Sequence, residues 1–222
     1  MAPFGTIYSY MPSPRVMKMQ AAANFNNLEL AIFPDFAMGK TNKSEDFLAK
    51  FPLGKVPAFE AADGTTLFES DAIAQYIAES GPAAAQLLGG SPAERATIRQ
   101  WVCLADGEVS GPVTQLALWR LKLKPYDEAT ETFNLQRLER TLACMETHLK
   151  GRIWFASSDK ISMADISIAA ALVWGFSMVI DAEMRQKYPI TLAWYERVLE
   201  VDEVKQAFGE KNYVEKRQSY DG

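Results

Sequence analysis

The amino-acid sequence predicts a small mixed α/β domain followed by an all-helical domain. Three observations carry that expectation. Through residue 80 the patterning switches between the two-residue period of strands and the 3.6-residue period of helices. A Gly-, Ala- and Pro-rich stretch at 81–90 then reads as a linker. Beyond it no strand pattern recurs, and Ile166 to Ile180 is apolar around most of a helix circumference. The expected units are therefore 1–80, a linker at 81–90, and 91–222. A chain of 222 residues with 48% apolar and 23% charged side chains can build both cores.

Each element has a local reason. Gly5 to Tyr10 (GTIYSY) is β-branched and aromatic, the composition of a strand. Ser13-Pro14 sets a good N-cap before a proline at the first helical position, so a helix follows. Leu28, Leu30 and Ile32 alternate as a second strand. Lys40 to Lys43 reads as a loop, and Ser44 with Glu45 and Asp46 starts a short helix ending near Phe51. Val56 to Glu60 and Thr65 to Glu69 are two more strands, joined by Ala62-Asp63-Gly64, whose Asp-Gly tolerates the positive φ of a tight turn. Ser70 caps a helix through Tyr76 and Ile77. A parallel pair bridged by a helix, plus a hairpin, makes one mixed sheet.

In the second unit, Ser91-Pro92-Ala93-Glu94 is a capping box with proline at the first helical position. Gly111-Pro112 should break or kink the helix it starts. Leu135, Leu138, Leu142, Met145 and Leu149 step by three and four, the stripe of a packed helix ending before Gly151. Ser162 and Asp165 form a second capping box, with Ile161 and Ile166 as its hydrophobic staple. Pro189 to Leu199 and Val204 to Phe208 are further helices. The charged tail 209–222 is expected to lie over the surface.

Composition removes several function classes. A net charge of −5 argues against nucleic acid or anionic membrane as the main partner. The single histidine, His148, excludes His-rich and Cys/His metal sites, and a Ser-His-Asp triad would have to use it. It reads as a surface or interface residue. Cys103 and Cys144 form no C-x-x-C pair, so no metal is expected and a reducing cytoplasm is the natural compartment. The first twenty residues lack a signal or transit pattern, and no apolar run reaches the ~20 residues of a bilayer crossing.

The stretch Phe51 to Glu79 (FPLGKVPAFEAADGTTLFESDAIAQYIAE) resembles the core motif of the cytosolic glutathione transferases. The Ser162-to-Ile166 box resembles the signature of their helical domain. That resemblance implies a thioredoxin-like N-terminal domain that binds glutathione as co-substrate, with a small hydrophobic electrophile in the helical domain. It also implies a cis Val56-Pro57 bond, with the Val56 backbone pairing with the cysteinyl unit. Ser70 would hold the γ-glutamyl carboxylate, with Glu69 and Asp71 near its ammonium. The residues themselves support an anion site there, because Glu69-Ser70-Asp71 open a helix directly after a strand. Lys55 is the leading partner for the glycyl carboxylate, with Lys40 and Lys43 behind it.

Transferase chemistry needs glutathione as thiolate. The family takes its activating group from the end of the first strand or the start of the first helix, here Tyr8 to Arg15. Ser13 is the first choice, because a cap position sets its oxygen beside free helical amides. Tyr10 and Tyr8 are alternatives, and Arg15 either orients the site or pairs with a carboxylate. No cysteine precedes Cys103, so the disulfide-forming chemistry of the Cys-bearing branches is excluded. Among the tryptophans, Trp101, Trp154, Trp174 and Trp194 read as core, while Trp119 and Phe176 are weak candidates for an acceptor wall.

Both termini (TIYSYMPSPRVMKM and FGEKNYVEKRQSYDG) are also similar to the transferase-like domain of the gamma subunit of the translation elongation factor 1 complex. Two readings follow: a transferase that conjugates electrophiles or reduces peroxides in detoxification, and a weakly active or inactive scaffold for other elongation factor 1 subunits. A carrier of apolar ligands is a third. The chain reads equally as a free-standing relative or as the first domain of a longer protein. A two-fold homodimer is expected.

Overall fold

A computed structural model of the chain describes residues 2–157 and 159–220. The first unit runs β1 (Gly5–Tyr8), α1 (Pro14–Phe25), β2 (Leu30–Ile32), a 3-10 turn (Thr41–Lys43), α2 (Glu45–Lys50), β3 (Ala58–Ala61), β4 (Thr66–Phe68) and α3 (Ser70–Glu79). The sheet order is β2-β1-β3-β4. β1 and β2 are parallel with Ile7 opposite Ile32, while β1/β3 and β3/β4 are antiparallel with Phe59 opposite Ile7 and Leu67. The crossover helix and the hairpin are both present. Thr65 donates its amide to Asp63 Oδ1 at 2.9 Å, and Gly64 takes φ 89°.

All four strands are shorter than the patterning predicts, β2 keeping only Leu30–Ile32 and β4 only Thr66–Phe68. β1 ends at Tyr8, so Tyr10 lies beyond the sheet. β3 begins at Ala58 rather than Val56, because Pro57 has no N–H to give the ladder.

The predicted linker 81–90 contains a helix, α4 (Ala84–Leu88). Its alanines are strong helix formers, and Leu87 is fully buried. Asn26 holds its start, donating to the Ile77 and Ala78 carbonyls and accepting from the Ala83 amide at 2.8 Å.

The helical unit comprises α5 (Pro92–Leu104), α6 (Gly111–Arg120), α7 (Glu128–His148), α8 (Met163–Met178), α9 (Ala182–Lys187), α10 (Pro189–Leu199) and α11 (Asp202–Phe208). Both capping boxes form as expected. Between α5 and α6 the chain makes a π-helical turn, Ala105–Ser110, rather than a simple break. Pro112 cannot supply the amide that a regular α-helix needs, and a wider turn before it absorbs the mismatch.

α8 is buried along most of its length. Its Asp165 is fully buried, accepting from the Phe155 amide at 2.9 Å, the Ser162 amide at 3.1 Å and Trp194 Nε1 at 2.9 Å. Burial pushes its carboxyl up, against the pull of those donors. The described part of the tail, residues 209–220, does lie over this domain. Val214 donates to the Phe176 carbonyl at 2.9 Å, and Tyr220 stacks on Tyr126 at 4.2 Å. Residues 221 and 222 of the predicted tail fall outside the described residues.

Candidate functional site

Four segments converge on an open cleft of about 350 Å³: the start of α1, the loop before β3, the β4–α3 junction and the π-turn. Its walls include Arg15, Lys55, Val56, Pro57, Glu69, Ser70 and Asp71, residues far apart in the chain that the sequence had nominated together. Met38, Leu53 and Phe68 add an exposed apolar rim, and Asp106 reaches in from the helical unit.

The α3 end of the cleft is shaped for an anion. Glu69, not Ser70, holds the N-cap position, and no side chain caps the helix. Ser70 is instead the first helical residue, buried against the cleft wall, and its hydroxyl and the amides of residues 70–72 have no protein partner among the described residues. Free amides and the helix dipole together favour negative charge at that spot. Glu69 itself is held at φ 70°, a left-handed conformation that costs a non-glycine residue about 1–3 kcal/mol. Backbone strain of this size concentrates at ligand clamps.

The opposite wall is the loop before β3. The Val56-Pro57 bond is cis. Neither the N–H nor the C=O of Val56 has a partner among the described residues, which leaves a strand-like edge open to the cleft. Asn42, which sequence reasoning missed, holds this loop. Its Nδ2 donates to the Gly54 carbonyl at 2.6 Å and its Oδ1 accepts from the Gly39 amide at 2.6 Å. Gly54 sits at φ 60° with the Asn42 carbonyl 2.9 Å from where a Cβ would stand, so only glycine fits. Lys55 lines the cleft; Lys40 and Lys43 do not.

Asp71 is already engaged. Lys18 of α1, itself buried, forms an ion pair with Asp71 Oδ1. The motif reading missed Lys18, because a lysine inside an apolar helix face carries no signal until its partner is known.

At the start of α1 the candidates separate. Ser13 occupies the N-cap position and is buried, but its side chain makes no cap hydrogen bond. The expectation that its oxygen serves the α1 amides is therefore corrected, and the hydroxyl is uncommitted. Ser13 and Tyr10 are not among the cleft-lining residues, whereas Arg15 is, and it has no ion-pair partner among the described residues. Tyr8 is committed elsewhere. Its hydroxyl donates to Glu60 Oε2 at 2.9 Å, and its ring packs on Phe33 and Phe47. Burial, and then the Glu60 carboxylate, push its phenol up, the wrong direction for an anion-stabilising donor.

The helical unit offers fewer groups than expected. Phe176 is buried under Tyr195 and Tyr213, with centroids at 4.2 and 5.5 Å, so it is core rather than an acceptor wall. Trp119 is tied to Glu131 at 2.8 Å beneath the Arg120 guanidinium. His148, half-buried, stacks on Phe155 and bonds its carbonyl at 2.9 Å. Among the described residues no His/Cys/Asp/Glu cluster could hold a metal, and no helix is long and apolar enough to cross a membrane.

With this geometry in place, residues 3–79 match the family model "Glutathione S-transferase, N-terminal domain" and residues 112–202 match "Glutathione S-transferase, C-terminal domain". The chain belongs to the glutathione S-transferase family. A glutathione S-transferase-like protein of a Fusarium species is 50% identical over 215 residues, covering 97% of each chain. Elongation factor 1-gamma of Danio rerio is 34% identical over 220 residues, which span 98% of this chain and 48% of that protein. The crystal structure of the theta class glutathione S-transferase from Xanthomonas axonopodis pv. citri with glutathione bound superposes with a TM-score of 0.79. It covers 94% of this chain and 99% of that one at 24% identity, a likeness of fold. The uncapped α3 and the open Val56 edge thus lie in the N-terminal domain of a glutathione S-transferase fold.

Proposed function

We propose that this chain is an active glutathione transferase that presents the glutathione thiolate to an electrophile. The observation that carries the reading is the pairing, across one cleft, of an uncapped α3 N-terminus at Ser70 with the unpaired Val56 backbone. These suit the two ends of one extended, zwitterionic peptide: the amides and Ser70 hydroxyl take its γ-glutamyl carboxylate, and Val56 pairs with its cysteinyl unit as an added strand. Glu69 lies beside the ammonium, and Lys55 stands at the glycyl end.

The thiol must ionise. At a pKa near 8.5 it is only ~3% thiolate at pH 7, and lowering that value by two units takes about 2.7 kcal/mol. One hydrogen bond to the anion supplies roughly 1.5–3 kcal/mol. The Ser13 hydroxyl, with no cap bond to compete for it, is the donor, Tyr10 being the alternative, and the unpaired Arg15 guanidinium adds a favourable field. The thiolate then attacks the electrophilic carbon; a carbon–sulfur bond forms and the leaving group departs with its electron pair. With a peroxide, the thiolate attacks oxygen and expels alkoxide or hydroxide, and a second glutathione completes the disulfide.

The protein works as a two-fold homodimer in the cytoplasm. Acidic Glu79 on α3 and basic Arg95 and Arg99 on α5 flank a cavity of about 430 Å³ floored by Ile98, Val102 and Met163, a surface a second copy can meet in self-complementary fashion. Two free, exposed cysteines suit a reducing compartment.

A second reading has its own observation: the elongation factor 1-gamma relative is similar along nearly the whole of this chain. On that reading the domain is a scaffold for other elongation factor 1 subunits. Calorimetric titration with glutathione, followed by conjugation to a chloronitrobenzene, tests the two. Saturable binding with turnover supports the transferase. No binding at millimolar glutathione overturns it in favour of the scaffold.

A further inference from the structure

Lys18 is the one lysine on the inward face of α1, among Val16, Met17, Met19 and Ala22, and its side chain is 8% exposed. Its single partner among the described residues is Asp71 Oδ1. Withdrawing an ammonium and a carboxylate from water is expensive, and a methionine of similar length would fill the same space without that cost. The fold therefore gains little stability from the pair, and its placement calls for another reason.

Asp71 supplies one. It is the second residue of α3 and lines the ligand cleft on one side and the α3/α5 cavity on the other. Lys18 takes Oδ1, while Oδ2 has no partner among the described residues. An unanchored aspartate in the first turn could swing its carboxylate toward the free amides at the helix start, as short polar side chains do with nearby backbone. It would then compete with the ligand carboxylate that those amides are open to receive. Glu69, at the N-cap itself, makes no side-chain cap bond.

Resting on the glutathione reading above, we propose that Lys18 is a positioning residue: by holding Asp71 Oδ1 it keeps Oδ2 turned to the γ-glutamyl ammonium and the α3 amides clear for the γ-glutamyl carboxylate. Lys18 touches neither the thiol nor the electrophile. Its influence reaches binding through Asp71 and leaves the chemical step alone.

The test is a double-mutant cycle read by steady-state kinetics and by calorimetry with glutathione. Lys18→Met should raise the KM for glutathione about tenfold, with kcat at saturation within about twofold of the wild type. Asp71→Asn should do the same, and the double variant should be no worse than Asp71→Asn alone, because the two act as one unit. Lys18→Arg should restore most of the affinity, which also keeps the test informative where Lys18→Met folds poorly. An unchanged KM in Lys18→Met, additive losses in the double variant, or a loss confined to kcat would each overturn the inference while wild-type glutathione binding stands. A wild type that does not bind glutathione would overturn both readings together.

Discussion

Trp194 Nε1 donates to Asp165 Oδ1 at 2.9 Å inside the helical unit, joining the middle of α10 to the first turn of α8. The same carboxylate accepts the Phe155 and Ser162 amides, so one side chain starts the central helix, seats the loop before it and anchors a neighbour. Asp165→Asn keeps the shape but turns an amide donor toward at least one of those donors. The expected loss is about 3 kcal/mol of stability, read by urea denaturation, with glutathione affinity unchanged in the folded fraction. A loss under about 1 kcal/mol would show that the network relaxes around the amide.

Ser13→Ala should lower kcat/KM at least about tenfold at neutral pH while glutathione affinity holds, because the hydroxyl acts on the thiolate alone. The pH–rate midpoint should move up toward the free thiol value of about 8.5. Should Ser13→Ala retain activity and Tyr10→Phe lose it, the activating role passes to Tyr10.

Glu69 carries strain and charge, and two substitutions separate them. Glu69→Gly accommodates φ 70° and should raise stability by about 1 kcal/mol while weakening glutathione binding. Glu69→Gln keeps the strain and loses the charge, so binding should weaken with no gain in melting temperature.

Glu60 gives the fold a pH dependence away from the cleft. Hydrogen bonds from Lys50 and then Tyr8 hold its carboxyl below the ordinary 4.5. A depressed native value means that the unfolded chain binds more protons at acid pH. This contribution is complete above the unfolded value and is lost as pH falls through the native one. Glu60→Gln should flatten the stability curve below about pH 4.5 and leave its slope unchanged between about pH 6 and 8.

For the dimer, sedimentation should give about twice the 24.7 kDa chain mass, and Arg95→Glu with Arg99→Glu should shift it toward the monomer. A concentration-independent monomer in the wild type would remove the homodimer from the proposal.

Much of the fold was legible because its signals are local. The capping boxes at Ser91 and Ser162 and the Asp63-Gly64 turn each complete their hydrogen bonds within a few residues. What escaped was either weak or distant. α4 lay hidden because alanines between Gly81-Pro82 and Gly89-Gly90 read as linker, and the burial of Leu87 that secures the helix is visible only in the folded chain. Lys18 and Asp71 are 53 residues apart, and Asn42 finds Gly54 across the whole of α2, so no spacing rule reveals either pair. The serines at the two cleft-facing helix starts behave unlike Ser44, Ser91 and Ser162: Ser13 holds an N-cap position without capping, and Ser70 is the first residue inside its helix. At these two positions the local rule fails where the functional site begins.

The π-turn at Ala105–Ser110 gives the α5–α6 rod a surplus residue. The wider turn takes up that residue as a local bulge, so the face of α5 that packs on α8 and the faces of α6 that pack on α7 and α8 keep their register on either side of it. The bulge carries Asp106 out to the mouth of the cleft. The rod thus holds a local adjustment of chain length that changes what stands at the cleft mouth without turning the helices on either side. Deleting exposed Gly107, beside which a Cβ would touch nothing, should draw Asp106 back from the cleft and leave the packing of α6 in place.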